Sequence, residues 1–459
     1  MSKSGIAVVF LAGPLSGIYA DSCKHRLGRR RPFMMLGGQF NTLLLIKITI
    51  HMYLMTDPSW LLRSCHGTHR TITIWLAAFA FYLMDFSLNV VMVTSRCLIV
   101  DILSSDRQAI ANAYYSRIAG IGAVSLYSIS EANLPKLLNS SSTQLKLITM
   151  MCTAIFIITL SITCMMVREK PLQITKTSVP KLLEIYHRLY QAWVRLGEDS
   201  NVKRICWITF WSSIGWFPVL FYSSTWIVEI WTMTTKQQDR EQATRIGSQA
   251  LLSQSIVSLI ASIILPIWFK GSRQLAKLWM SALCLLSIML VTSWVWAKEV
   301  RLASGMIGIL GISWAVTLWA PSTLLAQEIL DDPIDPHTVI PLNQYRPSST
   351  HVHPSSNPIH HVDDDEYEGL LDDLQGFDHP ATDENLAGTI YGIQNIFAVI
   401  PQLLINLFAS GIFKIVKKDN DGPGGITMVF VLGGFSAVVS AWGCWKLIGK
   451  IHPKQLGRV

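Results

Sequence analysis

The chain has 459 residues, half of them hydrophobic and only 15% charged, with a formal net charge of +8 and a mean hydropathy of +0.37. A soluble domain carries roughly 25% charged residues, so the balance points to a polytopic membrane protein. It offers no basic soluble face of the kind nucleic acid requires. No nucleotide loop, catalytic triad or metal motif occurs in a loop with room for a site, so the chain is not expected to be an enzyme.

The first apolar run, Ile6–Ala20, is marginal. At ~1.5 Å per residue it reaches about 22 Å, against a hydrocarbon core of ~30 Å. A secretory signal peptide, cleaved after "IYA", is the alternative reading. It would leave the following arginines on the translocated side, against the positive-inside bias. Those arginines lie in "DSCKHRLGRRRP", Asp21–Pro32, which is expected to face the cytoplasm.

Ten longer spans follow, each about 17–25 residues or more and therefore able to cross a bilayer. They are Phe33–Met55, Ile72–Leu98, Gln108–Ile129, Leu145–Val167 and Ile205–Trp231, then Ile246–Phe269, Leu278–Trp296, Ser304–Ile329, Ala387–Ile412 and Ile426–Ile448. Counting from the arginine loop places Arg168–Arg204, Lys270–Lys277 and the tail from Lys450 on the cytoplasmic side. The basic residues favour those loops over the alternate ones, although Lys414–Lys418 falls outside. Asn139–Ser141 is a glycosylation sequon in an outer loop.

Arg168–Arg204 divides the spans into two groups. Within it, "VPKLLEIYHRLYQAWVRL" has apolar residues at helical spacing with basic residues between, the pattern of an amphipathic helix on the inner membrane surface. The expected organisation is an N-terminal helical bundle over 1–167, a cytoplasmic amphipathic linker over 168–204, and a C-terminal six-helix bundle over 205–459. A second cytoplasmic loop, 331–384, is rich in Pro, Ser, His and Asp and is expected to be disordered. Its four histidines in "HVHPSSNPIHH" read as a solvated polar stretch rather than a metal site. "EYEGLL", Glu366–Leu371, fits an acidic dileucine signal for a trafficking adaptor. The eight cysteines are scattered and read as packing residues, with no metal or disulfide spacing.

Charge inside a membrane is costly, so each ionisable residue within a span is a functional candidate. In "FYLMDFSLNVVMVTSRCLIVDIL", Asp85, Asn89 and Arg96 stand at relative positions 0, +4 and +11. Eleven residues is close to three turns at ~3.6 per turn, so all three share one helix face. Asp85 falls near mid-membrane and Arg96 about 16 Å deeper, near the cytoplasmic end. A carboxylate in low dielectric can exchange a proton near neutral pH, which suits Asp85 to proton coupling; the alternative is a structural ion pair with an arginine of another helix. Asn89 beside it offers polarity for a hydroxyl group. Arg245 opens a later span at its outer end, either as an interfacial anchor or as a gating or ligand-binding cation. "GWFPVLFYSSTWIVEIW", Gly215–Trp231, combines a Gly and a Pro able to kink a helix with hydroxyls, Trp226 and Glu229. Rings that stack on sugar faces, with polar groups for hydroxyls, suit a sugar, although such aromatics also serve packing and the interfacial belt.

At these residues the sequence resembles the sucrose transporter family of proton symporters, in the major facilitator superfamily, and in particular its fungal branch. The matching stretches are "LAGPLSG", "RLGRRRPF", "MDFSLN" through "RCLIVD", "ANAYYSRIAGIG", "ITCMMVREKPL", "IGWFPVLFYSSTWIVEI" and "GISWAVTLWAP". The resemblance implies an all-α transmembrane fold of two helical bundles rocking around a midplane site. It implies proton-coupled symport of α-glucosides such as sucrose or maltose, with the proton as coupling ion and no other cofactor. Asp85 becomes the proton site; Asn89, Arg96, Arg245, Trp226 and Glu229 become substrate-binding candidates. The superfamily's cytoplasmic motif falls on Gly17, Asp21, Gly28, Arg29 and Arg30, an electrostatic latch between inner helix ends. About eleven membrane segments are visible, so a first helix is expected to be missing and the second shortened. The competing expectation is a transporter-like protein that does not transport, a sensor or a truncated product. The expected partners are the glycoside and membrane lipid, in a plasma rather than a vacuolar membrane.

Overall fold

In a computed structural model of the chain, the residues described are 15–17, 19–20, 23, 25, 28, 30–39, 68–132, 134–139, 144–167, 189–190, 192–194, 196–197, 200–235, 240–269, 271–331, 387–416 and 424–451. Among them the secondary structure is helical. Nine helices have twenty residues or more: α1 Thr68–Ile102, α2 Ser105–Glu131, α3 Gln144–Met166, α4 Asn201–Thr235, α5 Arg240–Trp268, α6 Ser272–Val291, α7 Val300–Asp331, α8 Ala387–Val416 and α9 Gly424–Lys450. Residues 31–39 form a further short helix. Seven of the long helices are apolar enough to cross a membrane by length and composition, and the chain is an integral, multi-pass membrane protein.

Most helices outrun the apolar runs that announce them. The run Ile205–Trp231 sits inside the 35-residue α4, because the helix continues into the polar zone where lipid no longer sets its limits. The same effect corrects two expectations. Lys270–Lys277, read as a basic loop, is helical from Ser272 onward. Arg245 does not open its helix: α5 starts at Arg240, since the polar residues before the apolar run extend it. Conversely, the span predicted to end at Trp296 breaks at Thr292, and Ser293–Trp296 forms a separate turn of helix.

Four of the later helices carry an internal proline: Pro218, Pro266, Pro321 and Pro401. Each removes one N–H from the helical ladder and frees the carbonyl four residues earlier.

The main core lies among α4 to α9, with Trp226, Trp279, Trp319 and Phe430 nearly or fully enclosed. Small residues bring these helices together, as in other membrane bundles. A Cβ on Gly215 would stand 3.1 Å from the Gly433 carbonyl oxygen, so α4 and α9 touch through backbone. Gly311 of α7 meets the backbone of Gln254 and Ser258 on α5. Hydroxyls add cross-links: Ser440 donates to the Ile208 carbonyl at 2.9 Å, and Ser313 to the Ala282 carbonyl at 2.7 Å.

Of the helices before residue 168, α1 and α2 pack on α5, α7 and α8. Val93, Cys97, Val100 and Ala113 contribute to the main core from that side. Met34, Leu98 and Cys164 form a small separate cluster. The helices before residue 168 make up the first half of the chain and those after residue 200 the second, and the inner end is the end expected to face the cytoplasm. Of the linker, the described residues 189–190 and 192–194 are helical. Trp193 stacks on Phe397 of α8 with ring centroids 5.0 Å apart, and the Lys203 ammonium sits over the Trp193 ring. The expected disordered loop, its histidines and Glu366–Leu371 lie outside the described residues. The seven described cysteines are free thiols.

Candidate functional site

The expected latch has one arginine among the described residues, and it is paired. Arg30 is completely buried; its Nε donates to Oδ2 of Asp101 at 2.7 Å and its Nη2 to Oδ1 at 3.4 Å. A fork of two donors on one carboxylate is the geometry in which arginine binds most strongly. Asp101 stands at the inner end of α1, in the stretch "RCLIVD". It was not foreseen as a site residue, although a carboxylate beside an inner helix end was the available signal. Asp21 and Arg29 lie outside the described residues.

Two glycines of the same motif are placed for backbone reasons. Gly28 has φ +106° and is buried, a conformation that side-chain-bearing residues avoid. Gly17 is buried against the backbone carbonyl of Gly388, and a Cβ there would collide with it. Because Gly388 lies in the first turn of α8, this contact joins the two halves at the inner end. The neighbouring Arg31 donates to the Cys164 carbonyl at the end of α3.

Arg96 lies six residues before the inner end of α1. Its Nη1 donates to the Ser322 hydroxyl of α7, across the two halves. Its guanidinium also rests 4.7 Å from the centroid of the Tyr115 ring on α2. The Tyr391 hydroxyl of α8 donates to the Ser322 backbone carbonyl at 3.0 Å. Arg96, Ser322 and Tyr391 thus tie α1, α7 and α8 together one to three turns from their inner ends. Beside them, the buried Thr323 hydroxyl and the Asn395 amide nitrogen have no hydrogen-bond partner among the described residues. Ser322, Thr323, Tyr391 and Asn395 carry no charge, so nothing in the sequence marked them as site residues.

Asn89 lies seven residues before Arg96 on α1 and is half-buried. Asp85 belongs to the same helix one turn further out; its side chain lies outside the described residues. The backbone therefore keeps all three predicted positions on one helix, with Arg96 at its inner end.

The remaining candidates occupy α4 and α5. Trp226 is fully buried, donates from Nε1 to the Thr427 hydroxyl at 2.9 Å and packs edge-on against Phe430. It is held inside the second half, between α4 and α9. Glu229 lies three residues further out and is half-buried; its Oε2 is enclosed with no hydrogen-bond partner among the described residues. Gly247 of α5 packs on Ser224 of α4. Glu229 and Arg245 both lie on the outer side of that crossing, five and two residues away. A groove of about 640 Å³ opens between the outer portions of α5 and α7, lined by Ile246, Ser253, Val257, Ser304 and Gly308 among others. Asn89, Arg96, Trp226, Glu229 and Arg245 do not line it. The predicted residues therefore fall into two groups: Arg96 in the inner contact between the halves, and Trp226, Glu229 and Arg245 toward the outer end of the second half.

No protein-family model matches the chain. It is 25% identical to the general alpha-glucoside permease of Schizosaccharomyces pombe, over 98% of this chain and 88% of the permease. It is also 25% identical to a sucrose transport protein of Arabidopsis thaliana, over 48% of this chain; the match spans about half, 47%, of that protein's length. The fold matches that of the human organic anion transporter MFSD10 with a TM-score of 0.59 at 13% identity, covering 96% of this chain and 82% of that one. These relatives are transporters, and the helical architecture is that of the major facilitator superfamily. The chain is thus similar in sequence to α-glucoside and sucrose transporters and similar in fold to MFSD10.

Proposed function

We propose that the chain moves an α-glucoside, of the sucrose or maltose type, across a membrane by proton-coupled symport. The observation that carries the sugar assignment is the similarity to an alpha-glucoside permease over 98% of the chain. The inner contacts suit alternating access. Arg96 to Ser322 and Gly17 against Gly388 join the halves at the inner end, so this arrangement is one with the cytoplasmic side closed. Rocking of the halves would break those contacts and open a path inward. Arg30 and Asp101 both belong to the first half, so their pair would travel with it as a brace.

In this reading Asp85 takes a proton from the outside while sugar binds near Asn89, between the halves. Loss of the proton inside resets the carrier. Trp226 holds the α4–α9 wall, with Glu229 and Arg245 toward the outer mouth. The membrane is proposed to be the plasma membrane, where uptake against a sugar gradient benefits from an inward proton gradient.

The test is uptake of a labelled disaccharide panel by cells expressing the chain, with and without a pH gradient across the membrane. Accumulation of sucrose or maltose that collapses with a protonophore is expected. Asp85→Asn is expected to abolish accumulation while leaving exchange of sugar down its gradient. If the variant still concentrates sugar, Asp85 is not the coupling site. If no glycoside accumulates under any gradient, the substrate assignment falls.

A further inference from the structure

Arg117 lies twelve residues into the 27-residue α2, about 18 Å from its inner end at ~1.5 Å per residue. An arginine so far inside a spanning helix requires a partner that offsets its cost. The partner belongs to the other half: Nε of Arg117 donates to the backbone carbonyl oxygen of Ser262 on α5 at 3.2 Å. Arginine side chains on a helix lean toward its N-terminus, here the inner end. That direction brings the guanidinium level with Ser262, six residues from the inner end of α5.

The Ser262 carbonyl is available for a chemical reason. In a regular helix it would accept the N–H of residue 266. Residue 266 is proline, which has no N–H. Ser262 is completely buried, so water does not supply the missing donor. A buried carbonyl without a donor is costly, and Arg117 provides one from across the interface. The surroundings hold the pair in register. A Cβ on Gly120 would sit 3.2 Å from Leu259, the Ser116 hydroxyl donates to the Ala315 carbonyl of α7 at 3.4 Å, and the Tyr114 ring lies 4.8 Å from the Arg117 guanidinium carbon.

We propose that Arg117 and the carbonyl released by Pro266 form a catch between the two halves, which holds the cytoplasmic side closed and is broken each time that side opens. This rests on the rocking of the halves put forward above, but not on the identity of the sugar or on proton coupling. Arg117 is a positioning residue. Its partner is a backbone atom that any side chain at position 262 would present, so only Pro266 makes the arginine necessary.

The experiment reads the opening without transport. Cys97 of α1, next to Arg96, is fully buried in the main core, and opening of the cytoplasmic side would expose it. Inside-out vesicles containing the full chain are treated with a membrane-impermeant maleimide, and modification of Cys97 is followed by peptide mass spectrometry. Arg117→Met is expected to speed modification about tenfold, the effect of losing one charge-assisted hydrogen bond. Arg117→Lys, which retains a donor, is expected to stay closer to the parent rate. In the Pro266→Ala background the helix satisfies its own carbonyl, and Arg117→Met is expected to change the rate little. An equal acceleration by Arg117→Met in both backgrounds would overturn the catch, as would no acceleration in the parent. Cys97 that never reacts, in the parent or any variant, would refute the opening itself and the catch with it.

Discussion

Asp101→Asn isolates the brace at the inner end of α1. Arg30 is wholly enclosed and the Asp101 side chain is 9% exposed, with their closest atoms 2.7 Å apart. At an effective dielectric constant of 20 and that separation, the Coulomb attraction is about 6 kcal/mol. Desolvation of both groups cancels most of it, so the pair itself adds little net stability. Removing one partner is different, because it strands the other charge in the interior. The expected cost of Asp101→Asn is about 3 kcal/mol, the lower end for a broken buried pair, since the amide oxygen still accepts one hydrogen bond. Arg30→Met removes the more deeply buried charge and leaves a carboxylate at the edge, at a smaller cost. The double variant is expected to resemble Arg30→Met alone, giving a coupling energy of about 3 kcal/mol, the whole effect of Asp101→Asn. Equilibrium unfolding of the purified chain in mixed detergent and SDS measures all four corners of the cycle. Should the two single effects simply add, within about 0.5 kcal/mol, the pair is not the energetic unit that its geometry implies.

Three further outcomes follow from other contacts. Gly28→Ala forces a side chain into the positive-φ region at a buried position and is expected to cost about 1–2 kcal/mol; an unchanged unfolding midpoint would remove the argument for glycine there. Trp226→Phe keeps an aromatic ring, though a smaller one, and loses the 2.9 Å donation to Thr427. A loss of about 1 kcal/mol is expected, against about 3–5 kcal/mol for Trp226→Ala, and equal losses would mean that the hydrogen bond rather than the packing dominates. Gly17→Leu places a side chain against the Gly388 carbonyl and is expected to prop the cytoplasmic side open, raising the rate of Cys97 modification from the inner face; a rate equal to the parent's would show that this contact does not limit closure.

The part of the fold legible in the sequence is the part governed by the membrane. Apolar runs identified α1 through α9 because a bilayer demands about 20 apolar residues per helical crossing. Their ends were misplaced at Arg240 and Ser272 because beyond the apolar zone lipid no longer punishes polar residues. At the candidate site the charged residues stood out, since an ionisable group inside a span is conspicuous. Asp85, Asn89 and Arg96 could be set on one helix face by spacing alone. Ser322, Tyr391 and Asn395 could not be found that way, because an uncharged polar residue in an apolar helix has many harmless explanations. Arg117 stands in "ANAYYSRIAGIG", where nothing in the sequence marks its partner.

By itself the sequence determined that the chain crosses a membrane many times, which loops are basic, and which helix carries an acid, an amide and a base in line. These follow from local quantities: apolar length, charge and a ~3.6-residue turn. Only the tertiary structure decided what those groups meet. Arg96 finds Ser322 at a separation of 226 residues, Arg30 finds Asp101 at 71, and Arg117 finds the carbonyl of Ser262 at 145. Such partners are set by how helices cross, and crossing is set by small residues such as Gly215, Gly311 and Gly433 whose effect depends on what stands opposite. A proline shows the division most plainly. That Pro266 frees a carbonyl can be read from one position of the chain, whereas the arginine that answers it is delivered by the packing of α2 against α5.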